Sequence, residues 1–386
     1  MEVSGVMFAL LRFELFGEEL CERAQNAVTP ENLPALYKLS KKHDLAHLVG
    51  NALEKNGLLD GNSEAKKRFL AERSLAVYRL EQQAYEFGRI CQTLEEAEVD
   101  FLPLKGSVIR AYYPKPWQRT SCDIDILVPA DKLDFASKRL HEALGYEIGK
   151  KTVNDLSLFA PSGVHLELHY DLTECGRFSG EILGDIWRYA SVAEGSKHRY
   201  LLCSEALYFY HIAHMVKHFE DGGCGVRPFL DLYLLSRSLQ TDEKKREEML
   251  SCYQFSRFAR ACEKLARVWF EGEEYDELSK RLETYILSGG AYGTLNNRVA
   301  LQQAKKGGKI RYLFSRIFIS NQELKLKYPA LEKRPYLAPF YHIKRWFKPL
   351  TDKESGGQVF GELSKTSKVS EKKKEENTLL LTELGL

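Results

Sequence analysis

Asp123-Ile124-Asp125 is a pair of acids spaced for chemistry. Both lie in the run Asp123 to Val128, where acids alternate with apolar residues, and that alternation predicts a strand. A period of two puts both carboxylates on one face and turns Ile124 and Ile126 to the other. Carboxylates about 7 Å apart along a strand repel one another unless a cation lies between them. Oxygen donors of this kind suit magnesium, which keeps water ligands and binds phosphates as well. Two such ions can clamp the attacking and leaving oxygens of an in-line displacement at phosphorus. Alone, the pair does not separate this reading from an acidic strand face that only meets water.

Two further features bear on the same chemistry. Lys105-Gly106-Ser107 falls between an expected strand and an expected helix. A glycine there lets the backbone approach a phosphate, the helix N-terminus offers free N–H groups, and Lys105 adds a cation. In His165-Leu166-Glu167-Leu168-His169 the alternation places His165, Glu167 and His169 on one strand face. If that strand neighbours the Asp123 strand, Glu167 completes a triad of acids. It could then hold a metal ion and help deprotonate an attacking hydroxyl.

Other histidines compete for attention. His211, His214 and His218 share a helical face, but no Cys-x-x-Cys or His-Glu-x-x-His accompanies them. Packing at a domain interface is favoured over a zinc site or a nucleotide-facing role. His165-x-Glu167 has the form of a zinc-deaminase element, yet its Pro-Cys-x-x-Cys partner is missing, which excludes that chemistry.

These residues need elements to position them. Residues 1–97 read as helical, with periodic apolar positions over Asn32–Asn56 and Ala65–Ala97. Residues 98–200 read as an α/β (α+β) core. Its expected strands are Val99–Leu104, Asp123–Val128, Leu156–Ala160 and Val164–Tyr170. Its expected helices are Val108–Tyr113 and Asp131–Leu144. Residues 201–350 return to helices, with Ser204 as an N-cap and patterns recurring to about Ala304. Tyr328–Leu350 is expected to wrap the surface irregularly. Residues 351–386 read as a charged flexible tail, in which Leu379-Leu380-Leu381 could dock a partner.

Composition narrows the class. The 56 basic residues nearly balance 54 acidic ones, so bulk charge gives nucleic acid no support as the main ligand. No run is long and apolar enough to span a membrane, and no signal peptide is read. The eight cysteines form no Cys-x-x-Cys pair, which fits a reduced, cytoplasmic setting.

The order of the parts resembles the nucleotidyltransferase superfamily related to DNA polymerase β: a Gly-Ser turn, an Asp-x-Asp strand, then an acid on a later strand. It is more closely similar to a bacterial family of largely uncharacterised nucleotidyltransferases. The matching elements are Leu104-Lys105-Gly106, Arg119, Asp123 to Val128 and Glu167-Leu168-His169-Tyr170. His214 to His218, Arg227 and Asp231 match further downstream. Glu167 stands where Asp is more usual, and Tyr170 where Trp is. The resemblance implies a polymerase β-like core with a mixed sheet between helical regions. It also implies Mg²⁺ or Mn²⁺ on Asp123, Asp125 and Glu167, with the nucleotide on Lys105, Gly106, Ser107, Arg119 and His169. The donor is an NTP, with ATP expected, and the acceptor is a hydroxyl on a small molecule, peptide, protein or RNA end. Arg119 could instead pair with Asp123 or Asp125; the resemblance favours triphosphate. The alternatives are a nucleotide-sensing protein without catalysis and a helical interaction protein in which the α/β part is only structural.

Overall fold

The computed structural model describes residues 1–61, 63–173, 178–291, 293, 324, 328, 330–351 and 371–386. Five strands form the central sheet: β1 (Leu102–Leu104), β2 (Asp123–Leu127), β3 (Glu147–Lys151), β4 (Asp155–Phe159) and β5 (His165–His169). Their order is β1-β2-β5-β4-β3. β2 and β5 run parallel, and the other neighbours are antiparallel. A parallel pair cannot be joined by a tight turn. The chain between β2 and β5 accordingly carries α7 (Leu133–Leu144) and the β3–β4 hairpin.

One face of the sheet is apolar. Ile124, Ile126, Leu156, Leu158, Leu166 and Leu168 are buried there. They pack with Ile90 and Leu94 of α5 (Ser63–Glu96) and with Leu133, Ala136 and Leu140 of α7. Each such side chain contributes roughly 1.5–3 kcal/mol by burial, so the register of β2 is fixed by its isoleucines. The acids are thereby forced onto the opposite face.

That opposite face looks toward helices from both ends of the chain. α1 (Val3–Phe16), α3 (Leu33–Lys42), α4 (Ala46–Lys55), α9 (Ser204–Glu220), α10 (Arg227–Ser238) and α12 (Ser256–Glu271) share one core. Phe8 of α1 stacks on Trp269 of α12 at 4.7 Å, and Arg12 Nη1 donates to the Trp269 carbonyl at 2.8 Å. The two helical regions expected as separate segments therefore meet in one apolar body.

Several local expectations are corrected. The helical run Asn32–Asn56 is two helices, α3 and α4, broken at Asp44, whose φ is 59°. Cys203 rather than Ser204 occupies the N-cap of α9. β3 was not expected, because Glu147–Lys151 is exposed at every position and carries no alternation; its lysines suit an edge strand. The expected helix Val108–Tyr113 is the short α6 (Gly106–Ile109) followed by a 3₁₀ turn, Arg110–Tyr112. Within Tyr328–Leu350, expected to be irregular, a helix spans Ala338–Thr351; Pro339 lies in its first turn, where proline is tolerated. Within the segment expected to be a charged flexible tail, a helix spans Glu371–Leu384. Its Leu380, Leu381 and Leu384 are buried against α12 and α13 (Glu277–Ser288), so the tail leucines dock on their own chain. The expected pattern through Ala304 falls largely outside the described residues beyond Ser288. Among the described residues, no helix is long and apolar enough to cross a membrane.

Candidate active site

Strand register assembles the acids. Asp125 lies opposite Glu167, Asp123 opposite His165 and Leu127 opposite His169 across the β2–β5 pair. On the other side Asp125 lies opposite Leu104, the last residue of β1. The next residue, Lys105, has φ 46°, a left-handed value that a side chain makes costly by roughly 1–3 kcal/mol. Its Nζ lies 2.5 Å from Asp125 Oδ1 and 3.8 Å from Glu167 Oε2. His169 Nε2 lies 2.9 Å from the same Asp125 oxygen and 3.6 Å from Glu167 Oε2.

The electrostatics divide the two acids. Asp125 is 2% exposed. Burial pushes its pKa up, but the Lys105 ammonium and the His169 hydrogen bond outweigh it and hold the carboxyl below the usual range. Burial pushes Glu167 up to about 7. Lys105 opposes that rise, and Asp125, Asp123 and Asp155 add to it. Lys105 is held above its usual value, because Asp125 overcomes the cost of burial. The result is one firmly ionised carboxylate beside a carboxyl poised to exchange a proton near neutrality.

Among the described residues, two clusters have ligand atoms all within 4.8 Å of one another: Asp123 with His165 and Glu167, and Asp125 with Glu167 and His169. Glu167 belongs to both clusters, Asp123 to one and Asp125 to the other; among the described residues no cluster holds both aspartates. The histidines of α9 do not form such a cluster among the described residues.

A cavity of about 270 Å³ opens in front of the acids. Lys105, Gly106, Asp123, Asp125 and Glu167 line one wall, and Tyr210, His214, Lys217, His218 and Arg227 the other. His214 and His218 meet edge to face at 4.4 Å. Burial, with Lys105 next or among the following charges, lowers both; His218 falls to about 4. His211 lines the same cavity, and its Nε2 also contacts the Pro228 carbonyl at 2.9 Å, which joins α9 to α10. A second cavity of about 200 Å³ adjoins the first around Lys105, Tyr210, His214 and Lys217. Asn154, Asp155, His169 and Asp171 face it.

The residues expected to hold the nucleotide separate in the structure. Gly106 opens α6 and lines the first cavity, and a Cβ there would lie 2.8 Å from Arg119 Nη1 and 2.9 Å from Ser121 Oγ. Ser107 is half-buried on α6 and is not among the residues lining either cavity. Ser121 is, and its hydroxyl donates to the Asp123 carbonyl at 2.7 Å. Arg119 pairs with neither Asp123 nor Asp125. Its Nη2 and Nε lie 2.9 and 3.3 Å from the two Asp231 oxygens, and Nη1 donates to the Thr120 carbonyl. Tyr113 also donates to Asp231, at 2.6 Å. This buried set ties the loop before β2 to α10. Gln83 of α5 ties the same loop down by donating to the Ser121 carbonyl at 3.0 Å. Ser121, Gln83, Tyr210 and Asp155 were not singled out from sequence. Only Ser121, beside the Asp-x-Asp pair, carried a local signal; the others arrive from distant elements.

The site thus sets paired acids on one strand and a third acid on its parallel neighbour, within a mixed sheet set against helices. Residues 29–271, more than half of the chain, match a family model described as uncharacterised nucleotidyltransferase, and the chain belongs to that family. No curated protein matches. Two solved structures of the antibiotic-resistance factor ANT(2'')-Ia are similar at 15% identity and a TM-score of 0.35. The solution structure aligns with 47% of this chain and 95% of that chain. The crystal structure, in complex with adenylyl-2''-tobramycin, aligns with 45% and 97%. Identity and TM-score this low transfer no substrate or residue role.

Proposed function

We propose that the protein transfers a nucleoside monophosphate from an NTP, with ATP the expected donor, to a hydroxyl acceptor and releases pyrophosphate. The observation that carries this reading is the register of β2 on β5, which sets Glu167 directly opposite Asp125 with Asp123 on the same face. The donor set fits a divalent cation such as Mg²⁺ or Mn²⁺: three carboxylates crowd one face, and the buried charge of Asp125 already requires the Lys105 ammonium beside it. Bound ions would neutralise charge on the attacking and leaving oxygens.

The chain's own groups divide the remaining work. Lys105, Lys217 and Arg227 give the cavity a basic side suited to a triphosphate. Gly106 lets the β1–α6 turn approach it closely. Glu167, set directly opposite Asp125 on the acid face, takes the proton of the acceptor hydroxyl. The acceptor oxygen bonds to the α-phosphorus as the bond to the bridging oxygen breaks, and pyrophosphate leaves with that electron pair. The adjoining cavity beside His169 supports an acceptor seat on that side.

The test uses radiolabelled ATP and other NTPs with Mg²⁺ or Mn²⁺, alone and with cell extract, beside an Asp123→Ala/Asp125→Ala variant. Label transfer by the wild type and its loss in the variant are expected. Transfer that survives the double substitution would remove the acids from the reaction. Metal-dependent nucleotide binding without transfer to any acceptor would favour a sensing protein.

A further inference from the structure

We infer that Asp123, His165 and Glu167 form a mixed nitrogen–oxygen cation site that takes a first-row transition ion in preference to Mg²⁺. A ring nitrogen of His165 and carboxylate oxygens of Asp123 and Glu167 lie within 4.8 Å of one another. Atoms sharing one ion at about 2.1 Å can be no more than about 4.2 Å apart, so side-chain rotation alone closes the gap. His165 Nε2 is buried and has no hydrogen-bond partner. The ring is held in place by Phe159, its cross-strand neighbour, stacked at 4.8 Å and 16°. A buried imidazole nitrogen without a partner is costly to retain, and coordination would satisfy the ring.

Donor chemistry sets the selectivity. Carboxylates and water alone suit Mg²⁺, whereas imidazole suits softer ions such as Co²⁺ and Zn²⁺. His165 lies two cross-strand pairs away from Asp125–Glu167, so the imidazole adds to the acids without replacing them. This inference rests on the functional reading only in taking the acids as cation ligands, and nucleotide transfer plays no part in its test.

The test titrates the full-length, nucleotide-free chain with Co²⁺ and with Mg²⁺ by calorimetry, and records the visible absorption of the Co²⁺ form. Wild type should show a ligand-field band and bind Co²⁺ more tightly. In His165→Gln the Co²⁺-over-Mg²⁺ preference should fall about tenfold or more, with the band altered. His165→Asn serves as a second variant, and circular dichroism confirms that each is folded. Equal preference in wild type and both folded variants would overturn the inference, as would no Co²⁺ binding by the wild type. Either failure would leave the transfer assay to stand or fall by itself.

Discussion

Lys105 Nζ lies 2.5 Å from Asp125 Oδ1, joining the turn after β1 to the middle of β2. The lysine reaches this position from a left-handed backbone, and the aspartate is almost wholly buried. The pair therefore couples the turn between β1 and α6 to the acid face. Asp125→Asn should lower transfer by roughly 10²–10³-fold and leave the Lys105 ammonium without its nearest carboxylate. Because Lys105 is 21% exposed, the stability cost should be about 1–3 kcal/mol, below that of a fully buried pair. Rate measurements with urea unfolding check both, and a fully active variant would contradict the assignment.

Gly106 is the second point of dependence. Gly106→Ala places a methyl within 3 Å of Arg119 and Ser121, and Arg119 is locked by Asp231 and cannot readily yield. A loss of about 1–3 kcal/mol is expected, together with weaker nucleotide binding. Thermal unfolding and nucleotide titration test this; unchanged values in both would mean that the turn tolerates a side chain.

The Arg119–Asp231 pair separates two roles that the sequence left open. Arg119→Met leaves Asp231 buried with Tyr113 as its remaining side-chain donor, which should cost about 3–5 kcal/mol. Arg119→Met with Asp231→Leu should recover part of that loss in a double-mutant cycle. If Arg119 served the triphosphate instead, the single variant would keep its stability and lose nucleotide affinity.

Acid should weaken the fold through His218. Burial first, then Lys105, Lys217, Arg227 and His211, lower its pKa from 6.5 to about 4. The unfolded chain binds that proton more tightly. The contribution is therefore fully present above about pH 6.5 and is lost as the pH falls through about 4. It is worth on the order of 1–3 kcal/mol. His218→Gln should flatten the fall in urea stability across that window, and an unchanged slope would exclude His218 as its source.

The sequence determined what depends on local period and composition. Alternation in Asp123–Val128 and His165–His169 placed each set of polar groups on one strand face, because side chains alternate along any strand. Apolar Ile124, Ile126, Leu166 and Leu168 settled which face is buried. Lys105-Gly106-Ser107 was legible as a turn between strand and helix, but not that a Cβ on Gly106 would meet Arg119 and Ser121. Tertiary structure decided what depends on which elements meet. It set Glu167 opposite Asp125 and brought Asp231 to Arg119 across 112 positions of chain. It placed His211, His214 and His218 together on the cavity, with His211 also bound to the Pro228 carbonyl. It also folded the tail leucines onto α12 and α13. Helical period gives a helix an apolar stripe but does not name the surface that covers it, and strand period gives a face but not its neighbour. Those choices follow from summed burial over the whole chain, so they became visible only when the core was assembled.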